Sequence, residues 1–215
     1  SIILSPWMVR NQIHFGRPIA GTTHGGYTLL LANNPWFYQH LQTESWRTVW
    51  PADALNQWWV AHTSRATPRD ELDADLWAYD AARDTIRRQP AMFLCASILR
   101  VVWLWSPLPH QIDPREALPK RLARWTVGLW YTAELGLAAI GLGAVVWRWN
   151  RTAADRSGAN STGWFWGILL LLVFTAVHAV FWTNIRMRSP LMPVVAIAAA
   201  AGLAIVVRNN RLRKA

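Results

Sequence analysis

Apolar and polar positions divide this chain into two regimes. Before about Pro90 they are mixed, with glycine, proline and asparagine interrupting each short apolar run. Beyond Arg124 they form apolar blocks separated by short arginine-bearing loops. Three of those blocks, 125–147, 163–183 and 191–207, come near the roughly 20 apolar residues that cross a bilayer at about 1.5 Å per residue. Trp125, Trp147 and Trp149, then Trp164, Trp166 and Trp182, stand at block ends, where indole rings favour the membrane–water boundary, and arginines stop each block. A water-soluble alternative would need partners over every face of three apolar helices, which so short a chain does not supply.

The block from Ala91 to Trp105 is shorter and contains Arg100. With Arg87 and Arg88 before it and Trp103 and Trp105 at its end, it reads as an interfacial helix along the headgroups, its arginines reaching water; a fourth span is the alternative. Upstream, Thr67 as N-cap, Pro68 in the first turn and Asp70 three residues beyond the cap predict an amphipathic helix. Glu71, Asp73 and Asp75 fill its early turns, Arg83, Arg87 and Arg88 its late ones, and Pro90 ends it. These carboxylates could serve acid–base chemistry or hold a cation, but complementing the helix dipole explains them more simply.

From Asn11 to Ala66 the punctuation by Gly16, Pro18, Gly21, Gly25-Gly26, Asn33-Asn34-Pro35 and Pro51 predicts a long irregular loop, and loops of that length are usually functional. Gly25-Gly26 would let backbone approach a ligand or turn sharply. Ile2-Ile3-Leu4 running into Ser5-Pro6-Trp7 reads as the last turn of a preceding membrane helix, ended by Pro6. The expected fold is an all-α polytopic membrane protein with an irregular external loop region and an interfacial helix. Residues 1–7 end a preceding transmembrane helix, 8–124 form the external region, 125–207 hold three transmembrane helices, and 208–215 are a basic tail.

Composition then narrows the function classes. Charged residues make up only 16% of the chain and apolar ones 53%, against about 25% charged in soluble domains. A single cysteine excludes a disulfide framework and a thiolate-rich metal site. Lysine and arginine total 22 against 12 acidic residues, a net charge of +10 that invites a nucleic-acid partner. The basic residues flank the apolar blocks, however, and tryptophans such as Trp125, Trp147, Trp149, Trp164, Trp166 and Trp182 stand at block ends rather than between basic residues as stacking platforms, so no nucleic acid is expected. His14, His24, His40 and His62 lack a metal-ligand spacing, and no G-x-S-x-G elbow occurs, so neither a metal nor a cofactor is expected.

Arginine and lysine in the short loops set orientation. One side holds Arg148, Arg151, Arg156, Arg208, Arg211, Arg213 and Lys214; the other holds Arg115, Lys120, Arg121, Arg124, Arg186 and Arg188. This slight bias puts the C-terminus in the cytoplasm, and residues 7 to about 124 with the Arg186–Arg188 loop outside. Glu134 and His178 lie within apolar blocks, where ionisable groups are costly and often functional.

The run Pro6-Trp7-Met8-Val9-Arg10-Asn11, then Phe15-Gly16-Arg17, Gly25-Gly26 and Ala32-Asn33-Asn34-Pro35, resembles the middle of bacterial family 39 type glycosyltransferases. These are polytopic GT-C enzymes similar to the dolichyl-phosphate-mannose protein mannosyltransferases. Trp103-x-Trp105-Ser106-Pro107 and Arg186-Met187-Arg188-Ser189-Pro190-Leu191-Met192-Pro193 continue the resemblance in the same order, the last being similar to the family's R-x-R-x-P-x-x-P entry to its final helix. Ser189 and Met192 depart from the leucine and glutamate more frequent in relatives, which affects donor preference.

The resemblance implies a glycosyltransferase in the bacterial plasma membrane, moving a sugar from a polyprenyl-phosphate-linked donor to a lipid, glycan or protein acceptor on the external face. It also implies that the catalytic aspartate lies upstream of Ser1, so no catalytic residue is assigned in this sequence. Arg186 and Arg188, with Arg10 next, would stabilise the departing lipid phosphate; Asn11, Gly25, Gly26, Asn33 and Asn34 are the further substrate-binding expectations. Arg186 and Arg188 as plain headgroup anchors is the competing view. The rival class is a non-catalytic membrane scaffold or transporter module in which Glu134 and His178 face a pathway.

Overall fold

A computed structural model describes residues 2–44, 48–66, 71–109, 115–151 and 159–212, and these are helical apart from short connections. In order they form α1 (Ser5–Phe15), α2 (Gly25–Ala32), α3 (Pro35–Thr43), α4 (Asp53–Ala66), α5 (Glu71–Arg88), α6 (Pro90–Trp105), α7 (Leu118–Arg151), α8 (Ala159–Val180) and α9 (Met192–Leu212). Short 3-10 turns cover Ile2–Leu4 and Ile185–Leu191. Thr67, Pro68 and Asp70, expected to start α5, lie outside the described residues, as do Ser1, Arg156, Arg213 and Lys214.

The irregular loop expected over 11–66 is instead a series of short helices. Much of what reads as loop punctuation stands at helix ends, while Pro18, Gly21 and Pro51 lie in the connections. Pro6 occupies the first turn of α1 instead of closing a preceding helix, since a ring nitrogen forfeits only an N–H that the first turn leaves unbonded anyway. Gly16 caps the other end with φ +69°, the left-handed conformation that ends helices and that a side chain disfavours. Gly25 opens α2. Asn34 is extended and accepts the Phe37 N–H at 2.8 Å, while Pro35 takes the first turn of α3.

The chain divides into two compact units. The first comprises α1 to α5, α6 as far as Leu99, and the segment Ala179–Trp182. Leu29, Leu30, Leu55, Ala78 and Ala82 form its core, with Tyr27, Trp36, Trp58, Trp59 and Tyr79 packed around them. Phe37, Trp50 and Trp182 make a triangle of rings with centroids 5.1, 5.5 and 5.7 Å apart, spacings at which tilted aromatic pairs attract. The Trp182 N–H reaches the Thr28 carbonyl at 3.3 Å, fixing the Ala179–Trp182 segment against α2.

The second unit holds the rest of α6, α7, α8 up to His178, and α9. Three stretches are long and apolar enough to cross a membrane: Leu118–Trp149, Thr162–Val180 and Ile185–Asn209. They match the apolar blocks of the sequence, with the first and last extended into their basic flanks. Helices α7 and α9 approach through glycine. A Cβ on Gly141 would meet the Ala198 carbonyl oxygen, and one on Gly202 would meet that of Leu137. Close backbone approach of this kind is how helices associate where lipid removes the hydrophobic driving force.

Helix α6, at 16 residues, is about 24 Å long by the 1.5 Å rise, short of the roughly 30 Å hydrocarbon layer. Its orientation reverses the expected snorkelling. Arg100 is buried together with Ala96, Trp103 and Leu104, while Leu94, Ile98 and Val102 form an exposed apolar stripe along the opposite face. The buried polar position and the outward apolar ones follow the same i, i+4 spacing. A helix turned this way offers hydrocarbon, not charge, to its surroundings.

Candidate functional site

Residues expected to bind substrate divide between the units: Arg10, Asn11, Gly25, Gly26, Asn33 and Asn34 in the first, Arg186 and Arg188 in the second. Within the first unit a cleft of about 580 Å³ opens beside α1. Trp7, Arg10, Asn11 and Phe15 line it from α1, Gly21, Thr22 and Thr23 from the following segment, and Glu71 from the start of α5.

Local geometry presets the polar wall of that cleft. Asn11 is only 1% exposed; its Nδ2 donates to the Ile19 carbonyl at 2.7 Å, which folds the segment after α1 back over the helix. Its Oδ1 accepts from Arg10 Nη1 at 3.2 Å, and the Arg10 guanidinium lies 5.0 Å from the Trp7 ring centroid. The guanidinium is therefore held by an amide and by a ring quadrupole. Trp7 Nε1 in turn donates to the Gly21 carbonyl at 3.4 Å. Across the cleft the Thr23 hydroxyl bonds Glu71 Oε1.

The remaining first-unit candidates are engaged in the fold. Asn33 and Asn34 are fully buried. Asn33 Nδ2 donates to the carbonyls of Leu29 at 3.0 Å and Val180 at 2.9 Å, and its Oδ1 accepts from the Tyr38 hydroxyl at 3.0 Å. Asn34 caps α3 and also donates to the Leu30 and Leu31 carbonyls at 2.9 and 3.1 Å. Their amides satisfy backbone carbonyls at the end of α2, a demand that any buried helix terminus makes.

Gly25 and Gly26 carry their backbone toward α5. A Cβ on Gly25 would meet the Tyr79 hydroxyl, and one on Gly26 the Asp75 backbone oxygen, with Asp75 Oδ1 and Tyr79 Cδ2 each 2.9 Å away. The Gly26 N–H donates to Asp75 Oδ1 at 2.7 Å, so a carboxylate of the acidic helix caps the start of α2. That is a more specific use of Asp75 than complementing its own helix dipole. Burial pushes the Tyr79 phenol up, the Asp75 carboxylate adds to the rise, and Arg83 partly offsets it; burial also raises Tyr27.

In the second unit the arginine pair splits. Arg186 is exposed, and its backbone N–H donates to Asn184 Oδ1 at 2.9 Å. Arg188 is 2% exposed. Its Nη1 donates to the carbonyls of Leu104 at 3.1 Å and Ser106 at 2.7 Å, and its guanidinium lies 4.4 Å from the Tyr131 ring centroid. Those carbonyls end α6, where the helix dipole gathers negative charge, so Arg188 caps α6 from a distance of more than eighty residues in sequence. Glu134 is half-buried, and His178 packs on Phe174 with centroids 4.5 Å apart.

Among the described residues no three His, Cys, Asp or Glu side chains gather to hold a metal. His24 stacks on Tyr27 and His62 on Trp58, the latter pair at 5.1 Å with the rings 13° from parallel. Sequence reasoning missed Glu71, Thr22 and Thr23 as neighbours of Arg10, because Glu71 joins Thr23 across 48 positions. No local spacing carries that signal. Tyr131, the ring beneath Arg188, was likewise unmarked. No protein-family model matches the chain, and no curated protein or solved structure matches it.

Proposed function

We propose that the chain is part of a membrane glycosyltransferase that moves a sugar from a polyprenyl-phosphate-linked donor to a lipid, glycan or protein acceptor at the external face of a bacterial plasma membrane. What carries this reading is the ordered series of motifs from Pro6-Trp7 to Pro193, which resembles family 39 type enzymes in serial order. The three stretches long and apolar enough to span a bilayer support it.

In this reading Arg186, rather than Arg188, takes the chemistry. As the glycosidic bond breaks, the leaving lipid phosphate gains negative charge, and a guanidinium stabilises that state only if the phosphate can reach it. Arg188 is enclosed and committed to α6, whereas Arg186 is exposed in the turn ahead of α9. Arg186 is therefore the phosphate-facing group, and Arg188 shapes the turn that presents it.

A non-catalytic scaffold is favoured by one observation: Asn33, Asn34 and Arg188 all bond protein backbone, a duty that a scaffold would share. Transfer of a radiolabelled sugar from polyprenyl phosphate, assayed with the full-length protein in membrane vesicles, separates the two. Arg186→Ala is expected to lower turnover roughly 10²-fold, the scale of losing one donor to a developing anion, with abundance unchanged. Absence of any transfer by the unmodified protein across polyprenyl-linked donors would leave the scaffold.

A further inference from the structure

We infer that the cleft beside α1 binds a neutral carbohydrate ring of hexose size. The inference deepens the transfer reading, and rests on it only for where that ring comes from. The cleft's volume of about 580 Å³ falls within the roughly 300–1,000 Å³ of small-molecule sites. Its walls offer two aromatic side chains, Trp7 and Phe15, and two opposite charges, Arg10 and Glu71.

The charges decide the ligand. Among the described residues no ion pair joins Arg10 to Glu71. Each is steadied by a neutral neighbour instead: Arg10 by Asn11 at 3.2 Å, Glu71 by the Thr23 hydroxyl. A guanidinium only donates hydrogen bonds and a carboxylate only accepts them. Adjacent ring hydroxyls do both, so one polyol satisfies both walls. Because both line one cleft, a phosphate drawn to Arg10 would share it with the Glu71 carboxylate, and an amine drawn to Glu71 would share it with the guanidinium. The aromatic side chains suit the apolar C–H faces of a sugar ring. Asn11 is a positioning residue here, its amide fixing the direction of Arg10.

Saturation-transfer NMR on the full-length protein in detergent micelles tests this without turnover. The probes are methyl glucoside, galactoside and mannoside, with inorganic phosphate and phosphoethanolamine as charged competitors. At least one glycoside should show saturation of its ring protons, falling at least fivefold in both Arg10→Gln and Glu71→Gln, with the unfolding midpoint unchanged because both side chains are exposed. Should either Gln variant unfold, Arg10→Lys and Glu71→Asp, which keep the charge but change its reach, should show the same loss in weaker form.

Glycoside signals indifferent to these substitutions would overturn the inference. So would binding of phosphate or phosphoethanolamine that depends on Arg10 or Glu71 while no glycoside binds. Maltotriose and a short-chain prenyl-phosphate hexose then separate two sources. Residue-dependent saturation of the trisaccharide assigns the cleft to an acceptor glycan, that of the prenyl-linked hexose to the donor, and either supports it. A protein that binds glycosides this way yet transfers nothing refutes the transfer reading alone.

Discussion

Asn33 and Asn34 in the first unit, and Arg188 in the second, face the same physical demand with different chemistry. In both places helix-terminal carbonyls are buried away from water. The first unit answers with neutral amides that belong to the helix end they serve or to the start of the next one. The second answers with a cation delivered from the turn before α9 to carbonyls at the end of α6. An amide also offers an acceptor, which Asn34 uses to cap α3 and Asn33 uses for Tyr38. A guanidinium offers none, but its charge is complementary to the helix C-terminus. Repair is mostly local in the first unit, where only the Asn33 bond to the Val180 carbonyl reaches far along the chain, and wholly long-range in the second, so damage should spread differently.

The largest effect is expected at Arg188. Arg188→Ala removes charge-assisted bonds to Leu104 and Ser106 and leaves a buried and a half-buried carbonyl without their donor, at a cost of about 3 kcal/mol. Arg188→Lys should recover part of this, since a point charge replaces the planar fork and its contact with Tyr131. Detergent-denaturation titration gives the free energy, and hydrogen exchange locates the loss at the end of α6. If alanine there leaves both unchanged, the comparison fails, and Arg188 is a buried cation with no structural duty.

Helix contacts offer a closer match between the units, because glycine brings backbones together in each. Gly26→Ala directs a methyl at the Asp75 carbonyl in the first unit, and Gly202→Ala directs one at the Leu137 carbonyl in the second. Backbone cannot swing aside as a side-chain tip can, so each should cost about 2 kcal/mol, within the range for overpacking. Exchange should rise over α2 and α5 for Gly26→Ala, and over α7 and α9 for Gly202→Ala. Because this methyl opposes α5, a loss of transfer in Gly26 variants would report the fold before it reported a ligand. Equal protection in the variants would show that the helices relax apart without penalty.

The spans were legible in the sequence because each is a continuous local pattern. Hydropathy alone placed 125–147, 163–183 and 191–207 inside the three observed stretches, apart from the end of the second block beyond Val180. The same local logic failed over 11–66. Pro6, Gly25, Asn34 and Pro35 are both loop formers and helix starters, and dense punctuation there means short helices rather than none. Arg100 and Arg188 failed for a different reason. An arginine within or beside an apolar block reads as a headgroup anchor, whereas Arg100 is fully buried in α6 and Arg188 is buried on carbonyls more than eighty residues away. For the candidate site, Arg10 and Asn11 were marked by their motif, but Glu71 and Thr23 became their neighbours only through tertiary structure.

Asn34→Ala should act on the first unit alone. It deletes the cap on the Phe37 N–H and the donor to the Leu30 and Leu31 carbonyls, for a loss of roughly 1–2 kcal/mol. Asn34→Asp keeps the cap and loses the donor, so it should fall between the two. Exchange over α2 and α3 is the readout. An aspartate variant worse than alanine would mean that carboxylate repulsion from the buried carbonyls outweighs the cap.

The smallest effect concerns alkaline pH and also belongs to the first unit. Burial raises Tyr27 and Tyr79 above their ordinary value of 10.0, with Asp75 adding to the rise at Tyr79. A phenol whose folded value exceeds its unfolded one favours folding fully while the unfolded phenol is still neutral. Above pH 10 the unfolded chain loses those protons more readily than the folded one, so stability declines as pH climbs through the raised values. The first unit's melting midpoint should therefore begin to fall above about pH 10, in step with tyrosinate absorbance. Both side chains keep considerable contact with solvent, which keeps the decline shallow. A Tyr27→Phe, Tyr79→Phe double variant should lose part of that slope while retaining the neutral-pH fold. If the slope persists at full strength without these hydroxyls, the alkaline weakness lies elsewhere, and Asp75 does not couple to Tyr79 one turn further along the same helix.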